Sequence, residues 1–316
     1  MKVSVSVPLF SIIVCTQDRP QQLDACLSSL RSQDYARIEV VVVENGMRGA
    51  AEEIAQRWGA RYLFDAQPGV SAARNSGVRS SLGDLIAFID DDAVADAGWA
   101  SALAHEFEDA SISGIAGRIV PLTAGSERDP SSEELPNAWE PTFGRRIIDQ
   151  ASPDWFEVLN FGCLANASNL AIRRRALEGR QAFDERFGRG RPLRSFADHH
   201  AFFSLVAAGH RVLYAPSAVV RHPAPGNAAA ARKMQLEQSS AAAAYMLLLW
   251  FEWPQHRGRL LKFAGGWLAG APRDFRGDSR APRLVPRWQQ LLRAAWGPVL
   301  YLRTRSQTSM KALPQP

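Results

Sequence analysis

"LIAFIDDDAV", Leu85 to Val94, is the stretch whose reading decides the fold. Five apolar residues run straight into Asp90, Asp91 and Asp92. An unbroken apolar run suits a strand covered on both faces, as in a parallel sheet. Three adjacent carboxylates repel one another and favour protonation unless cations or hydrogen-bond donors offset the repulsion. The end of this strand is therefore a place where charge must be met.

Working outward, "SIIVC" (Ser11 to Cys15) reads as a buried strand. "RPQQLDACLSSLRSQ" then reads as a helix, with Pro20 at its start and Leu23, Leu27 and Leu30 on one face. "IEVVVVE" (Ile38 to Glu44) is a second strand, "GAAEEIAQRWG" a helix, "RYLF" a strand, and "VSAARNSGVRSSLG" a helix stopped at Gly83. "GWASALAHEFED" follows the aspartates as another helix. Strands alternating with short helices predict an α/β fold with a largely parallel sheet. Ligands of such sheets sit outside the carboxyl ends of the strands, where Thr16, Glu44 and the three aspartates fall.

From Thr123 to Asp154 the pattern dissolves into Ser, Pro, Gly and charge, which predicts a long loop. Periodicity returns at "NFGCLANASNLAIRRRAL", "FDERFG", the helix "DHHAFFSLVAAG" and the strand "HRVLYAP". After Pro225 the composition turns to Ala, Trp and Arg. This predicts a boundary near Gly226, with one unit over 1–225 and a basic, tryptophan-bearing helical extension over 226–316.

The chain of 316 residues is 46% hydrophobic and 22% charged, which is globular rather than disordered. Cys15, Cys26 and Cys163 show no metal-ligand spacing; the sparse, odd count suits a reducing cytosol and buried packing roles. The start "MKVSVSVPLFSIIVC" lacks a small-x-small cleavage site and reads as part of the first strand, not a leader. Charge is unevenly spread: from Pro254 onward twelve Lys and Arg face Asp274 and Asp278, against a whole-chain net of +5. A mildly acidic body thus carries a strongly basic tail.

A strand-end carboxylate pair suits a hard divalent cation, which takes oxygen ligands and leaves positions for phosphate oxygens. Solvated loop acids are the plain alternative. "GVSAARNSG" (Gly69 to Gly77) opens a helix just before this strand and offers free backbone N–H groups together with Arg74, both suited to an anion.

Read in order, "SIIVCTQDRPQQLDACLSSLRSQ", "VVVVENG", "GVSAARNSGVRSSLGDLIAFIDDD" and "NASNLAIRRRAL…FDERFG…ADHHAFFSLVAAGHRVLYAPSAVVRH" resemble family-2 glycosyltransferases with the GT-A fold. The resemblance covers Ser11 to His222, about two-thirds of the chain. It implies a Rossmann-like, mostly parallel sheet flanked by helices. It also implies inverting transfer of a sugar from a nucleotide-diphospho-sugar, UDP being the first choice, to a glycan or lipid-linked acceptor. Position by position, it implies that Thr16 and Arg19 contact the nucleotide. Glu44 stands where the family usually has Asp for the base or ribose. Arg74 and Asn75 lie near the nucleotide and its phosphates, and Asp90 or Asp91 bonds the ribose. Asp92 ligates Mn²⁺ or Mg²⁺, with His222 able to complete the metal site. The family's catalytic Glu-Asp pair reads Ala197-Asp198 here, which leaves Asp198 as the base; an Asp there is also a good helix cap.

His199 and His200 are adjacent, so at most one can face the site. Trp139, Trp155 and Phe161 could stack on an acceptor sugar or simply pack. "SSAAAAYMLLLWFEW" is too short to span a bilayer. Trp288, Leu291, Leu292, Ala295, Trp296, Val299 and Leu300 recur at helical spacing, with Pro298 expected to kink or end the helix. Such a stretch suits an anionic membrane surface, packing on the catalytic unit, or a dimer contact. No nucleic-acid module accompanies the charge, so the expected location is cytoplasmic, at most peripheral on the inner membrane face. Polysaccharide synthesis for the cell envelope or export is the setting the resemblance implies. A non-catalytic sugar-nucleotide binder is the first alternative. A haloacid-dehalogenase-like phosphatase is the second, although Lys2, Lys233, Lys262 and Lys311 fit none of that family's motifs.

Overall fold

The computed structural model describes residues 7–122, 144–162, 164, 166–225, 227–269 and 284–306. Its first half is the alternation expected. Strands β1 (Phe10–Thr16), β2 (Ile38–Asn45), β3 (Arg61–Asp65) and β4 (Leu85–Asp90) are parallel in the order β3-β2-β1-β4. Helices α1 (Pro20–Arg31), α2 (Ala51–Arg57) and α3 (Val70–Ser80) form the crossovers. Register levels the strand ends: Thr16 pairs with Glu44, and Cys15 with Asp90.

Beyond β4 come β5 (Val94–Ala95), α4 (Trp99–Glu106), β6 (Ile112–Pro121), β7 (Arg146–Ile148), α5 (Trp155–Phe161), β8 (Leu170–Arg173), α6 (Ala197–Ala207) and β9 (Arg211–His222). Here the largely parallel expectation needs correction. β8 lies antiparallel between β4 and β6, and β5 and β7 are antiparallel to β9. The nine-stranded sheet is therefore mixed. The stretch expected to be loop up to Asp154 contains β7, whose three residues are too few to show alternation. Residues 123–143, with Trp139, and Cys163 lie outside the described residues. α3 stops at Ser81, which is already extended, rather than at Gly83.

Alternate residues of β1 serve opposite faces. Phe10, Ile12 and Val14 pack with Leu23, Leu27 and Leu30 of α1 and with Trp99. Ile13 joins Phe88, Phe156, Phe202 and Phe203 on the other face. Each fully buried side chain of this size contributes about 1.5–3 kcal/mol, so two complete faces hold the strand ends rigid. α3 approaches β1 so closely that a Cβ on Gly77 would lie 2.5 Å from Ile13 Cγ2. Helix propensity alone favours Ala over Gly by about 1 kcal/mol, yet Gly77→Ala is expected to destabilise by about 1–3 kcal/mol through overpacking. A lower urea midpoint at unchanged slope would register it.

The segment after Pro225 folds as α7 (Ala228–Glu252), α8 (Arg257–Ala269), α9 (Arg287–Ala294) and α10 (Gly297–Ser306). Asn227 caps α7 by accepting from the Ala230 amide at 2.9 Å. Tyr245, Leu248 and Leu249 of α7, Leu260 and Phe263 of α8 and Tyr301 of α10 share the core of the phenylalanine-rich face. The Tyr245 hydroxyl donates to Asn160 at 2.6 Å. The helix breaks between Ala294 and Gly297, and Pro298 sits in the first turn of α10, where its missing N–H costs nothing. Among the described residues no helix is long and apolar enough to cross a membrane.

Candidate active site

The three aspartates at the end of β4 take different sets of partners. Asp91 is buried; its carboxylate accepts from Thr16 Oγ1 at 2.8 Å and Arg19 Nη1 at 3.2 Å. Asp92 accepts from the same Arg19 at 2.6 Å through Oδ2. Asp90 accepts from Arg74 Nη2 at 3.0 Å and Ser168 Oγ at 2.6 Å. Topology explains each meeting. β8 runs antiparallel to β4 with Phe88 opposite Leu170, which carries Ser168 to Asp90. β5 starts two residues after Asp92 and pairs with β9 at Val94 and Arg221, which brings His222 alongside.

His222 Nε2 lies 3.2 Å from Asp92 Oδ1 and 3.6 Å from Asp90 Oδ2. One ligand atom from each of Asp90, Asp92 and His222 falls within 4.8 Å of the others. Asp92 Oδ1 is buried and faces this cluster, with His222 Nε2 its near partner. His222 Nδ1 sits 2.9 Å from the Pro223 carbonyl, which places the Nδ1 proton there and turns Nε2 toward the two carboxylates. Two carboxylates and one imidazole fit a divalent cation.

Arg74 is the second organising residue. It is buried, stacks over Phe183 at 5.2 Å, and joins Asp90 to Asp198, 3.3 Å from Asp198 Oδ1. The other oxygen of Asp198 accepts from the Ala167 amide at 2.9 Å. Asp198 lies in the first turn of α6, yet it caps nothing in its own helix; the preceding Phe196 turns the chain with φ 72°. Of the adjacent histidines, His199 lines the cleft and approaches the Gly162 carbonyl at 3.0 Å, while His200 is buried beside Tyr245. That divergence is the one expected of neighbours on a helix.

Of these groups, Arg74, Asp90, Asp91, Asp198 and His199 line a cleft of about 410 Å³. One wall is charged, with Arg74, Asp90, Asp91, Asp198, Arg189 and Arg194. The opposite wall comes from α7, α8 and α9 and is neutral: Gln235, Gln238, Met246, Phe263, Trp267 and Gln290. Phe161 lines the cleft stacked on Phe263 at 3.9 Å, whereas Trp155 packs in the core on Phe203.

Two of the expected nucleotide contacts turn their side chains into the protein. Glu44 is 1% exposed and accepts from the Gly49 amide at 2.8 Å and the Tyr62 hydroxyl at 2.7 Å. Asn75 donates to the Phe183 carbonyl at 2.8 Å and accepts the Phe183 amide at 3.0 Å, tying α3 to the turn that precedes the cleft. Both placements have one cause. A side chain near a rim reaches ligand only if its own polar atoms are not first satisfied by nearby backbone. Thr16 likewise spends its hydroxyl on Asp91.

The sequence profile described as Glycosyl transferase family 2 matches residues 11–170, half of the chain. The chain belongs to this family. The glycosyltransferase AglE of Haloferax volcanii is 26% identical over 227 residues, covering 69% of this chain and 68% of AglE. An N-acetylglucosaminyltransferase of Rhizobium leguminosarum bv. viciae is 26% identical over 246 residues, 73% of this chain, and the chain spans only 54% of that relative's length. Among solved structures, the mannosyltransferase PcManGT from Pyrobaculum calidifontis, in complex with GDP-Man and Mn²⁺, superposes with a TM-score of 0.53 at 16% identity. It covers 98% of this chain and 78% of that one. Staphylococcus aureus TarS 1-349 in complex with UDP gives 0.53 at 14% identity, over 96% and 93% of the two chains. Likeness at these identities establishes the GT-A fold. The family membership removes the phosphatase reading of the aspartates.

In this family-2 glycosyltransferase the site's charges are mutually set. Burial opposes ionisation of Asp90, yet His222 and Arg74 hold its carboxyl well below the usual range. Burial likewise opposes ionisation of Asp92, and His222 lowers it. Burial raises Asp91 in spite of Thr16 and Arg19. Burial works against a charged His222, but Asp90 and Asp92 hold it up to about 10 without metal. A cation binding at Nε2 must displace that proton. Mn²⁺ affinity is therefore expected to rise with pH, by about tenfold per unit, and to level off once pH passes about 10. Titrations at several pH values check this, and a His222→Ala variant should lose the slope.

Ser168, the Ala167 amide and the neutral wall from α7 to α9 were not singled out from the sequence. Ser168 lies inside "NASNLAIRRRAL", so only its position opposite Asp90 was hidden.

Proposed function

We propose that this enzyme transfers a sugar, with inversion, from a nucleotide-diphospho-sugar to an acceptor hydroxyl, and that Asp198 takes the proton. The observation that carries the reading is the placement of Asp198. It lies in the cleft with both oxygens held, on the same Arg74 that grips Asp90 at the end of β4. A base so held stays aimed as the acceptor oxygen approaches.

Asp92, His222 and Asp90 are the residues that would hold Mn²⁺ or Mg²⁺; bound there, the cation would neutralise charge developing on the departing diphosphate. Arg74 orients Asp198 and Asp90 together. Arg189 and Arg194 add positive charge to the same wall, where a diphosphate is attracted. The neutral wall suits the acceptor: amides bond to hydroxyls, and the indole of Trp267 offers an apolar face to a sugar ring. A glycan or lipid-linked sugar fits it, in cell-envelope or exported polysaccharide synthesis. PcManGT holds GDP-Man and TarS holds UDP; UDP is the donor nucleotide we favour.

Calorimetric titration with UDP, GDP and dTDP, each with and without Mn²⁺, tests the reading. One nucleotide should bind, and bind more tightly with metal. Equal binding with and without metal would remove the cation from the reaction, and no binding of any would overturn the donor assignment.

A further inference from the structure

α9 and α10 press one side against the body of the protein. Tyr301 stacks on Phe251 of α7, Thr304 is buried, and Gln290 reaches the cleft. Their other side carries large apolar side chains with no cover among the described residues: Trp288 is 61% exposed, Leu292 63%, Trp296 60% and Leu302 61%. Trp288, Leu292 and Trp296 recur every four residues, so they form one stripe along α9 and the turn after it. Among the described residues, nothing of the catalytic unit packs on this stripe.

Charge selects the occupant. From residue 279 to the end there are seven Lys and Arg and no Asp or Glu. Arg293, Arg303 and Arg305 are exposed on α9 and α10 themselves. An exposed tryptophan stripe rimmed by arginines, on helices too short to span, is the pattern of a helix lying in the headgroup region of an anionic bilayer. A like-charged second copy would bring two strongly basic surfaces together, which disfavours a dimer through this face.

We propose that the outer face of α9 and α10 docks on an anionic phospholipid surface and so holds the mouth of the cleft beside the bilayer. The second half follows from α9 itself: Gln290 lines the cleft while Trp288 and Leu292 on the same short helix face outward. Arg287 fastens the start of α9 to the Trp267 carbonyl at 2.8 Å, so the docking face and the neutral wall move as one. Through the transferase reading, on which this part rests, an acceptor anchored in the membrane would meet the neutral wall without leaving the lipid surface.

The test uses the full chain with phosphatidylcholine vesicles that contain or lack phosphatidylglycerol. Sedimentation with the anionic vesicles, a blue-shifted tryptophan emission and weakening by salt are expected. Trp288→Ser/Leu292→Ser should lower vesicle affinity at least about tenfold, because two exposed apolar anchors are removed and nothing buried changes. No binding to anionic vesicles, or equal binding by the variant, would overturn the proposal. So would a concentration-dependent dimer abolished by the same substitutions, since the face would then be a contact between copies. Mn²⁺-dependent nucleotide titration of both proteins separates the two claims. Vesicle binding without nucleotide binding would uphold docking and sink the donor site, and nucleotide binding without vesicle binding would do the reverse.

Discussion

Asp198→Asn is expected to lower the transfer rate by about 10²–10⁴-fold, the usual worth of a positioned general base, with nucleotide affinity and its metal dependence retained. Asn keeps the shape of Asp and can still accept from the Ala167 amide, so the loop before β8 stays in place. It cannot take a proton from an acceptor hydroxyl. Arg74 loses one acceptor but keeps Asp90, which limits the structural cost. The diagnostic pattern is a fall in kcat with little change in the donor KM. Substantial transfer by the variant would dismiss Asp198 as the base. Loss of nucleotide binding along with activity would mean instead that Asp198 positions the donor.

Arg74→Met should have the largest effect on stability. The guanidinium is buried between two carboxylates, and a thioether of similar length takes the cation from Asp198 and leaves Asp90 with His222 alone. Breaking a buried pair by removing one partner costs about 3–5 kcal/mol, and Asp198 loses its cation outright while Asp90 keeps His222 and Ser168. The penalty has a definite pH dependence. Asp90 is held well below its ordinary value of 3.8, so it contributes stability above that pH, which is lost as pH falls through the folded value. Removing Arg74 raises the folded value while His222 still holds it down, so the difference between variant and wild type is greatest near neutrality and shrinks on acidification. Urea midpoints at neutral and mildly acid pH measure it. Arg74→Lys should restore only part, since one ammonium cannot fork to both carboxylates. An Arg74→Met protein as stable as wild type would mean that water, not Arg74, compensates these acids.

Legibility in the sequence follows distance along the chain. β1, β2 and β4 announce themselves because β-branched and apolar runs of five to eight residues are local signals. α1 is equally plain from its leucine spacing and Pro20. The aspartate run, with Arg74 on the helix before it, marks the reacting end of the sheet. The family resemblance added Asp198, which lines the cleft, and His222, which lies beside Asp90 and Asp92. Glu44 and Asn75 have residue types that suit a ligand, and only the fold shows that Tyr62, Gly49 and Phe183 also use their polar atoms.

By itself, then, the sequence determined the parallel half of the sheet, the rim on which polar groups gather, and the absence of a spanning-length apolar run in the tail. All three rest on patterns within a few turns or one strand. Only the tertiary structure decided which aspartate faces inward to Thr16 and which two face His222, because that depends on β5 and β9 pairing across 127 residues. It alone set β8 against the direction of its neighbours, bringing Ser168 to Asp90. It alone turned the basic tail into one wall of the cleft on its inner side and an exposed tryptophan stripe on its outer side. The amphipathic pattern says that a helix has an apolar face; what that face meets is settled by packing against the rest of the chain, which no local window contains.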